Sequence, residues 1–259
     1  MDLGLAGRKA IVCASTAGLG LACATALAAE GASVVINGRD EERLRAAAES
    51  VRSVATGDVV AVQADITTPE GREALLAAHD EPDILVNNNR GPNPDGFFEV
   101  TDSDLEEALV LHYWTPLALA RAVLPGMRQR AFGRIVNITS AMVAAPRQVQ
   151  IPSAGTRTAL SAVMKGLARE VASDVVTINQ ILPERVLSGR QMQNARRIAE
   201  REGIPVEEAL TGMAAAMPPG RMGEPSELGA ACAFLCSVQA GYINGTNLRL
   251  DGGNYFGLI

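Results

Sequence analysis

A glycine-containing turn near the amino terminus is the first group of residues whose types and spacing could bind a ligand. It reads Cys13-Ala14-Ser15-Thr16-Ala17-Gly18-Leu19-Gly20 and lies between an apolar run and a helical stretch. Glycines at such a turn let backbone N–H groups approach a pyrophosphate, and the helix N-terminus adds a partial positive charge. We therefore expect this turn to bind a dinucleotide through Ser15, Gly18, Leu19 and Gly20.

The residues that would contact the adenosine ribose follow about twenty positions later. The chain reads Asn37-Gly38-Arg39-Asp40 where an acidic residue would bind the ribose of NAD. Gly38 has no carboxylate, and the guanidinium of Arg39 would attract a ribose 2′-phosphate. This pattern predicts NADP(H) rather than NAD as the cofactor. The alternative is that Arg39 only pairs with Asp40 or Glu42 at the start of a helix.

Short apolar runs alternate with longer helical stretches along the chain. The predicted strands are Lys9–Ala14, Ser33–Asn37, Val59–Gln63, Ile84–Val86, Arg134–Ile138, Val175–Ile181 and Asn247–Leu250. The predicted helices are Gly20–Glu30, Glu41–Ala55, Pro69–Ala78, Asp102–Arg130, Ser153–Ala172 and Pro225–Cys236. This alternation predicts an α/β protein with a doubly wound parallel sheet of about seven strands and helices on both faces, which is a Rossmann fold. Because no linker or repeat interrupts it, residues 1–259 are predicted to form a single domain.

The segment 184–217 departs from the regular alternation. A helical stretch, Gln191–Glu202, is followed by Gly203-Ile204-Pro205 and by small residues. An insertion after the sixth strand lies over the carboxyl ends of the strands, where ligands bind in this architecture. We interpret the segment as a mobile substrate lid, and a surface excursion without function is the alternative.

The composition favours a small-molecule partner. The 29 acidic residues exceed the 23 Lys and Arg, giving a formal charge of −6, which disfavours nucleic acids and anionic membranes. The uncharged stretch from Ala10 to Ala29 is broken by polar residues and glycines, so it predicts neither an export signal nor a membrane span. The four cysteines form no C-x-x-C pair and neither histidine lies near them, so no metal site is expected. We therefore expect the four cysteines to be buried free thiols and the protein to reside in a reducing cytoplasm.

Four further motifs follow later strands. They are Ala64-Asp65-Ile66-Thr67, Leu85-Val86-Asn87-Asn88, Asn137-Ile138-Thr139-Ser140 and Asp251-Gly252-Gly253. Together with the turn they resemble the short-chain dehydrogenase/reductase family over essentially the whole chain. The resemblance implies that Asp65 holds the adenine, that Asn87 and Asn88 line the cofactor, and that Ser140 orients a substrate carbonyl. Ile66 and Pro183 complete the expected cofactor-binding set. At the level of the family, the implied activity is that of a 3-oxoacyl-acyl-carrier-protein reductase.

The catalytic pair of that family is altered in this chain. The resemblance implies a tyrosine as proton donor and a lysine four residues later, and these positions fall on Ser153 and Arg157. Ser140 and Ser153 are thirteen residues apart, which is the family's interval between its serine and its tyrosine. Arg157 can hold the nicotinamide ribose or stabilise an alkoxide, but it cannot readily act as the acid. His112 replaces a family asparagine, and it is either a substitute proton donor or a packing residue.

These observations predict an NADP(H)-dependent oxidoreductase that interconverts a carbonyl and a secondary alcohol. Ser140, Ser153, Arg157 and His112 are its candidate catalytic residues, with His112 or a relayed water supplying the proton. Two alternatives stay open, namely a homologue that binds nucleotide without redox turnover, and a lyase or isomerase on the same fold. The resemblance also implies a homo-oligomer, most simply a tetramer. Three further departures from the family pattern occur at Ala14, Arg90 and Glu184, the last two near the expected nicotinamide end.

Overall fold

The structure is a computed structural model that describes residues 1–91 and 97–258. Within them, seven strands form one parallel sheet in the order β3-β2-β1-β4-β5-β6-β7. The strands are β1 Lys9–Val12, β2 Ser33–Gly38, β3 Val59–Gln63, β4 Ile84–Asn87, β5 Gly133–Ile138, β6 Val176–Pro183 and β7 Asn247–Leu250. From β1 the chain adds β2 and β3 on one side of the sheet and then β4 to β7 on the other side. In sheets of this kind a ligand crevice opens where the strand order reverses, here between β1 and β4. The predicted doubly wound α/β fold is confirmed.

Helices cover both faces of the sheet. They are α1 Gly18–Ala29, α2 Glu41–Arg52, α3 Pro69–Ala77, α4 Asp102–Leu109, α5 Thr115–Gln129, α6 Ile151–Glu170, α7 Gly189–Glu202, α8 Val206–Ala215 and α9 Pro225–Cys236. Successive strand residues point to opposite faces, so Ala10 and Val12 pack with α1, α2 and α9, whereas Ile11 packs with α3, α5 and α6. The two apolar layers hold the sheet rigid beneath its carboxyl edge.

Helices α1 and α9 make the closest helix packing on the first face. A Cβ at Gly229 would come within 2.5 Å of the backbone oxygen of Ala22, so only glycine allows this approach. Cys23 and Cys232 lie buried in the same layer, and all four cysteines are buried free thiols, as expected. Among the described residues, no helix is both long and apolar enough to cross a bilayer.

The predicted continuous helix Asp102–Arg130 is wrong in one respect. A π-helical turn, Val110–Trp114, separates α4 from α5. Pro116 lies in the first turn of α5 and has no N–H to donate to the preceding turn, which explains why the helix widens there. The widened turn places His112 against α6. The ends of the strands differ less from their predicted positions. For example, β1 ends at Val12 rather than Ala14.

The segment predicted as a lid forms a helical hairpin of α7 and α8. The two helices share a small apolar cluster that includes Ala195, Ala209 and Met213. Hydrogen bonds join its two ends, because Gly223 N donates to Arg185 O at 3.0 Å and Leu187 N donates to Gly223 O at 2.9 Å. The hairpin is thus a separate packed unit on a narrow base, and its mobility stays a prediction.

Candidate active site

A cleft of about 760 Å³ opens at the carboxyl ends of the strands, a volume in the range of small-molecule sites. Its two ends are built from different segments. The nucleotide end, formed after β1, β2 and β3, is lined by Ala14, Thr16, Ala17, Gly18, Leu19, Asn37, Gly38, Arg39, Asp40, Arg43, Ala64, Asp65, Ile66 and Thr67. The substrate end is formed after β4, β5 and β6 and by the starts of α6 and α7. Its polar and charged lining residues include Asn88, Arg90, Ser140, Ser153, Arg157, Arg185, Ser188 and Arg190.

The glycine-containing turn is shaped by close backbone packing. Gly18 has a φ of +56°, and a Cβ at Gly20 would overlap the backbone oxygen of Ala14 and come 2.7 Å from Asn88 Nδ2. Asn88 Nδ2 donates to the Ala14 oxygen at 3.0 Å, which fixes the turn against β4. Gly18 and Leu19 line the cleft, whereas Gly20 does not. Gly20 therefore lets α1 approach the turn and is not itself placed to contact a ligand.

Ser15, another residue expected to bind the cofactor, lies outside the cleft. Its hydroxyl donates to Val12 O and accepts from Asn37 N, both at 2.8 Å, and the side chain is fully buried. Ser15 therefore joins the ends of β1 and β2. The sequence pattern could not distinguish this role from ligand binding, because both occur at the same position of the turn.

Arg39 lies at the rim of the nucleotide end. Its Nη1 is 3.5 Å from Asp65 Oδ2, whereas Asp40 caps α2 by accepting from Arg43 N at 2.8 Å. The alternative pairing of Arg39 with Asp40 or Glu42 is therefore not what the structure shows. Burial opposes ionisation of Asp65, but hydrogen bonds from Thr67 and the charge of Arg39 hold the pKa of Asp65 below its usual value.

Two features of the nucleotide end are not apparent from the sequence alone. Arg43, in the first turn of α2, also lines the cleft, and a second basic residue close after Arg39 in the sequence is the signal that could have found it. A Cβ at Gly38 would overlap Cγ2 of Thr16. An acidic side chain at position 38 therefore has no room unless Thr16 moves.

Ser140 and Ser153 face the substrate end with similar hydrogen bonding. Ser140 Oγ accepts from Met142 N at 3.3 Å, and Ser153 Oγ accepts from Arg157 Nε at 3.2 Å. A hydroxyl has one hydrogen to donate, and within the described part of the chain neither serine donates it to a protein acceptor. Both protons are available to a ligand in the cleft.

Arg157 connects the end of β5 to α6. Its Nη1 donates to Ile138 O at 2.7 Å and to Thr139 O at 3.1 Å, and its Nη2 lies 3.0 Å from His112 Nε2. Burial and the nearby charge of Arg190 lower the pKa of Arg157 to about 10, so it stays cationic at neutral pH. No carboxylate in the described ranges lies within 4.0 Å of it. Arg157 is thus a guanidinium held by neutral acceptors.

His112 lies behind Arg157 and outside the cleft. His112 Nε2 lies 3.0 Å from both Arg157 Nη2, which can only donate, and the backbone oxygen of Arg90, which can only accept. A neutral ring that donates from Nδ1 to Thr156 Oγ1 at 3.3 Å accepts at Nε2 from Arg157. Thr156 in turn donates to Pro152 O at 2.8 Å. Burial and the charge of Arg157 lower the pKa of His112 to about 2. The imidazole is therefore neutral and orients Arg157, and the hypothesis that it donates the catalytic proton finds no support in this geometry.

Asn87 faces a small cavity beneath the cleft instead of the cleft itself. The cavity measures about 20 Å³, which is room for one water molecule. Asn87 Nδ2 donates to Asn137 Oδ1 at 2.9 Å, leaving Asn87 Oδ1, Asn137 Nδ2 and Thr115 Oγ1 without protein partners. These three atoms can hold a water, and Asn87 is a structural residue rather than a cofactor ligand in this arrangement.

The start of α7 comes close to the glycine-containing turn. A Cβ at Gly18 would lie 3.5 Å from Cβ of Ser188, the residue preceding α7. Ser188 was not among the expected site residues, although a serine before a helical stretch is a common N-cap signal. Asn88, Ile66 and Pro183 line the cleft as expected.

Comparison with known proteins places these features in a family. A family model described as enoyl-(acyl carrier protein) reductase matches residues 13–254. The uncharacterized oxidoreductase YvaG of Bacillus subtilis (strain 168) is 31% identical over 258 residues, 98% of each chain. The chain belongs to the short-chain dehydrogenase/reductase family. The 3-oxoacyl-[acyl-carrier-protein] reductase FabG of Vibrio cholerae serotype O1 is 30% identical over 257 residues, covering 98% of this chain and 99% of the relative.

A solved structure of the short-chain dehydrogenase/reductase family extends this likeness to three dimensions. The L-sorbose reductase of Gluconobacter frateurii, complexed with NADPH and L-sorbose, has a TM-score of 0.94 at 32% identity, and the match covers 100% of both chains. The family's fold and overall arrangement are therefore retained from one end of the chain to the other.

Three departures from the family pattern can be located in the structure. Ala14, at the family's first turn glycine, has a φ of +46°, a left-handed conformation that favours glycine. Arg90 pairs with Glu107. Glu184, in the place of a family glycine, pairs with Arg147. The carboxylates of Glu107 and Glu184 therefore already form ion pairs with arginines beside the substrate end of the cleft.

Proposed function

We propose that this protein is an NADP(H)-dependent oxidoreductase that interconverts a carbonyl and a secondary alcohol. The observation that carries the proposal is the pair of hydroxyls at Ser140 and Ser153, each with its hydrogen directed to no protein acceptor in the described residues. Both serines line a cleft whose other end is shaped for a nucleotide. The NADPH in the related sorbose reductase supports the cofactor class.

The nucleotide end fits NADP(H). Gly18 and Leu19 would present backbone to the pyrophosphate, and the start of α1 would add its partial positive charge. Arg39 and Arg43 would hold the ribose 2′-phosphate, and position 38, where an acidic side chain would repel that phosphate, is a glycine whose Cβ would have to displace Thr16. Asp65, Ile66, Asn88 and Pro183 would contact the rest of the cofactor. The bound cofactor would supply the hydride.

The substrate end would polarise the carbonyl. Ser140 and Ser153 donate hydrogen bonds to the substrate oxygen, and these bonds strengthen as negative charge develops there. The Nε–H of Arg157 draws electron density from Ser153 Oγ, which makes that hydroxyl a better donor. The proton of Ser153 passes to the new alkoxide, and the serine recovers a proton from cleft water. Arg157 stabilises the serine oxygen in the interval.

The test is the oxidation of NADPH with a panel of ketones and 3-oxoacyl thioesters. We expect Ser140→Ala and Ser153→Ala to lower kcat, while NADPH affinity, followed by fluorescence titration, changes little. Ser161→Ala is a matched control, because Ser161 is on the same helix and bonds to Gln180 away from the cleft. Binding of NADPH without turnover of any carbonyl would favour the non-catalytic homologue instead, and a lyase or isomerase would convert substrate without consuming NADPH.

We also propose a homo-tetramer in a reducing cytoplasm. Leu105, Leu109, Val110 and Trp114 are exposed along α4 and the π-helical turn, and a contiguous apolar patch of this kind is typical of an interface. The four buried free thiols support a reducing compartment. Light scattering at micromolar concentration checks the assembly, and Trp114→Glu should shift it to a smaller species.

A further inference from the structure

Several neutral amide side chains line the substrate end of the cleft. Gln150 immediately precedes α6, and Gln191, Gln193 and Asn194 lie on α7. An amide both donates and accepts hydrogen bonds, and a hydroxyl does the same, so the two groups can pair in either direction. This part of the cleft therefore has the chemistry to recognise a ligand that carries hydroxyl groups.

Helix α7 has two faces of different chemistry. Ala195 and Ala199 are buried in the apolar cluster that α7 shares with α8. The residues of α7 that line the described cleft are Gly189, Arg190, Gln191, Gln193 and Asn194. None of these five has an apolar side chain. An acyl chain lying against this wall would cover the amides without bonding to them, which is unfavourable.

The amides of α7 keep bonding capacity on the cleft side. Asn194 Nδ2 donates to Gln191 Oε1 at 3.3 Å, and in the described ranges this is the hydrogen bond that the two side chains make. It leaves Gln191 Nε2 as a donor and Asn194 Oδ1 as an acceptor. A carboxylate or phosphate that only accepts can meet the donor but not the acceptor, whereas hydroxyls meet both.

Three arginines at the same end already have partners within the protein. Arg90 pairs with Glu107, Arg157 donates to two backbone oxygens, and Arg185 donates to the backbone oxygen of Met213. A substrate that covers the cleft wall also removes water from the amides, so it must supply partners for them. The amides are thus the groups whose bonding a substrate has to complete.

Gln150 has a backbone conformation that local structure does not explain. Its φ is +68° and its ψ is +31°, a left-handed conformation that is uncommon for a residue other than glycine. It is the N-cap residue of α6, yet its side chain makes no capping hydrogen bond, and glutamine is not a preferred N-cap. Strained residues are found at functional sites, and this side chain lines the cleft three residues before Ser153.

We propose that the substrate is a polyhydroxylated carbonyl compound of the sugar class, whose hydroxyls bond to Gln150, Gln191 and Asn194 while its carbonyl meets Ser140 and Ser153. This inference rests on the proposed oxidoreductase function and specifies its substrate class. Reduction adds a hydride from NADPH to the carbonyl carbon and a proton to its oxygen, which gives a polyol and NADP⁺. A site built to bond hydroxyls rejects an analogue without them, because the amides are then left unpaired.

The first test compares erythrulose with 2-butanone, which has the same carbon chain and carbonyl but no hydroxyls. We expect kcat/KM to favour erythrulose about a hundredfold or more. Because hydroxyls also make a carbonyl more reactive, variants decide the cause. Gln150→Met and Gln191→Met should each reduce the preference about fivefold or more. Gln148→Met, exposed two residues before Gln150 and outside the described cleft, should leave it intact.

Two results of this comparison would overturn the proposal. One is a kcat/KM for 2-butanone, or for an acetoacetyl thioester, that equals or exceeds the value for erythrulose. The other is a preference for erythrulose that neither Gln150→Met nor Gln191→Met reduces, because the hydroxyls would then act only through the reactivity of the carbonyl.

The second test does not depend on turnover. Erythritol and threitol are already reduced, so they cannot react with the NADPH-saturated protein. Saturation-transfer NMR should detect binding of at least one of them, and Gln150→Met should weaken it, whereas 1,4-butanediol, which lacks the inner hydroxyls, should not bind. If a polyol binds in this way but no carbonyl is reduced, the polyol site stands and the redox function fails. If 2-butanone or a thioester is reduced and hydroxyls affect neither binding nor rate, the function stands and the polyol site fails.

Discussion

The two ends of the cleft are built on different physical principles. At the nucleotide end, Gly20 and Gly38 allow backbone and Thr16 to approach where any side chain would collide, and acidic and basic groups are balanced. At the substrate end, Arg157 is surrounded by Ser153, His112 and two backbone oxygens. The geometry of the nucleotide end depends on glycines, which have no side chain. The geometry of the substrate end depends on hydrogen bonds among the side chains of Ser153, Arg157 and His112.

This difference explains why one end matches its family's pattern more closely than the other. At Gly20 a substitution is not tolerated, because an added Cβ would overlap the backbone oxygen of Ala14. A side-chain network can be replaced as a unit when the helical spacing is kept, since residues four apart stay adjacent on one face. Ser153 and Arg157 are four apart, and their side chains are in contact.

Among the substitutions that test the difference between the two ends, removal of Arg157 is expected to have the largest effect, on kcat. Arg157→Ala deprives Ser153 of its cationic donor and leaves the oxygens of Ile138 and Thr139 without a donor. We expect kcat to fall about 10²–10³-fold and NADPH affinity to change little, as measured by single-turnover kinetics and fluorescence titration. Arg157→Lys, which keeps the charge but cannot bridge the same acceptors, should recover only part of the rate.

A loss of NADPH affinity as large as the loss of rate would contradict this division of the cleft. It would mean that Arg157 acts mainly on the cofactor. Urea unfolding of both variants separates a catalytic loss from a general loss of structure.

Changing Arg39 tests the nucleotide end. Arg39→Ala removes one charge-assisted contact to a 2′-phosphate, so NADPH affinity should weaken more than tenfold, about 1.5–3 kcal/mol, while NADH affinity stays constant. Arg45→Ala, exposed on the helix α2 that follows Arg39 and outside the cleft, is the matched control. Equal affinities for the two nucleotides in the wild type would refute the NADP(H) assignment.

His112 provides a test that depends on pH. Its pKa of about 2 in the folded protein is far below the value of about 6.5 for an unfolded chain, so below pH 6.5 only the unfolded chain gains this proton. Stability is therefore lost as pH falls from 6.5, by about 1.4 kcal/mol per pH unit. Replacing His112 by Asn, which has no group that titrates in this range, removes this dependence.

The measurement is the free energy of unfolding in urea at pH 7 and pH 5. Wild type should lose about 2 kcal/mol more than His112→Asn over that interval. The same loss in both proteins would show that the imidazole binds its proton with nearly the same pKa in the folded and unfolded states, and would restore it as a candidate acid.

The sequence predicts the architecture well because hydrophobic periodicity and turn glycines are local signals. The strands differ from their predicted bounds by two residues at most, and Gly18, Leu19 and Arg39 line the cleft. The roles of Ser15 and Gly20 could not be separated from ligand binding, because joining strands and binding phosphate favour the same residues at the same turn.

Properties that depend on tertiary contacts were beyond the sequence. The sequence does not show that His112 is buried beside Arg157, and this burial decides the charge of the imidazole. The π-helical turn Val110–Trp114 is caused by Pro116, in the first turn of α5. The apolar periodicity continues through this region, so the pattern alone does not reveal the break. The clustering of Arg90, Arg185 and Arg190 joins residues about a hundred positions apart, and no spacing rule reveals it.

The smallest expected effect concerns the one strained residue of the nucleotide turn that the family pattern would fill with glycine. Ala14 has a φ of +46°, which costs about 1–2 kcal/mol, whereas glycine adopts it freely but loses about 0.5–1 kcal/mol more on folding. Ala14→Gly should therefore raise stability by about 0.5–1 kcal/mol, or Tm by a few degrees. Ala131→Gly, with a φ of +51°, should act in the same direction, and Ala29→Gly in α1 should lower stability. If Ala14→Gly also lowers Tm, the alanine methyl contributes packing that outweighs its strain, and the turn depends on side chains to an extent that its glycines do not suggest.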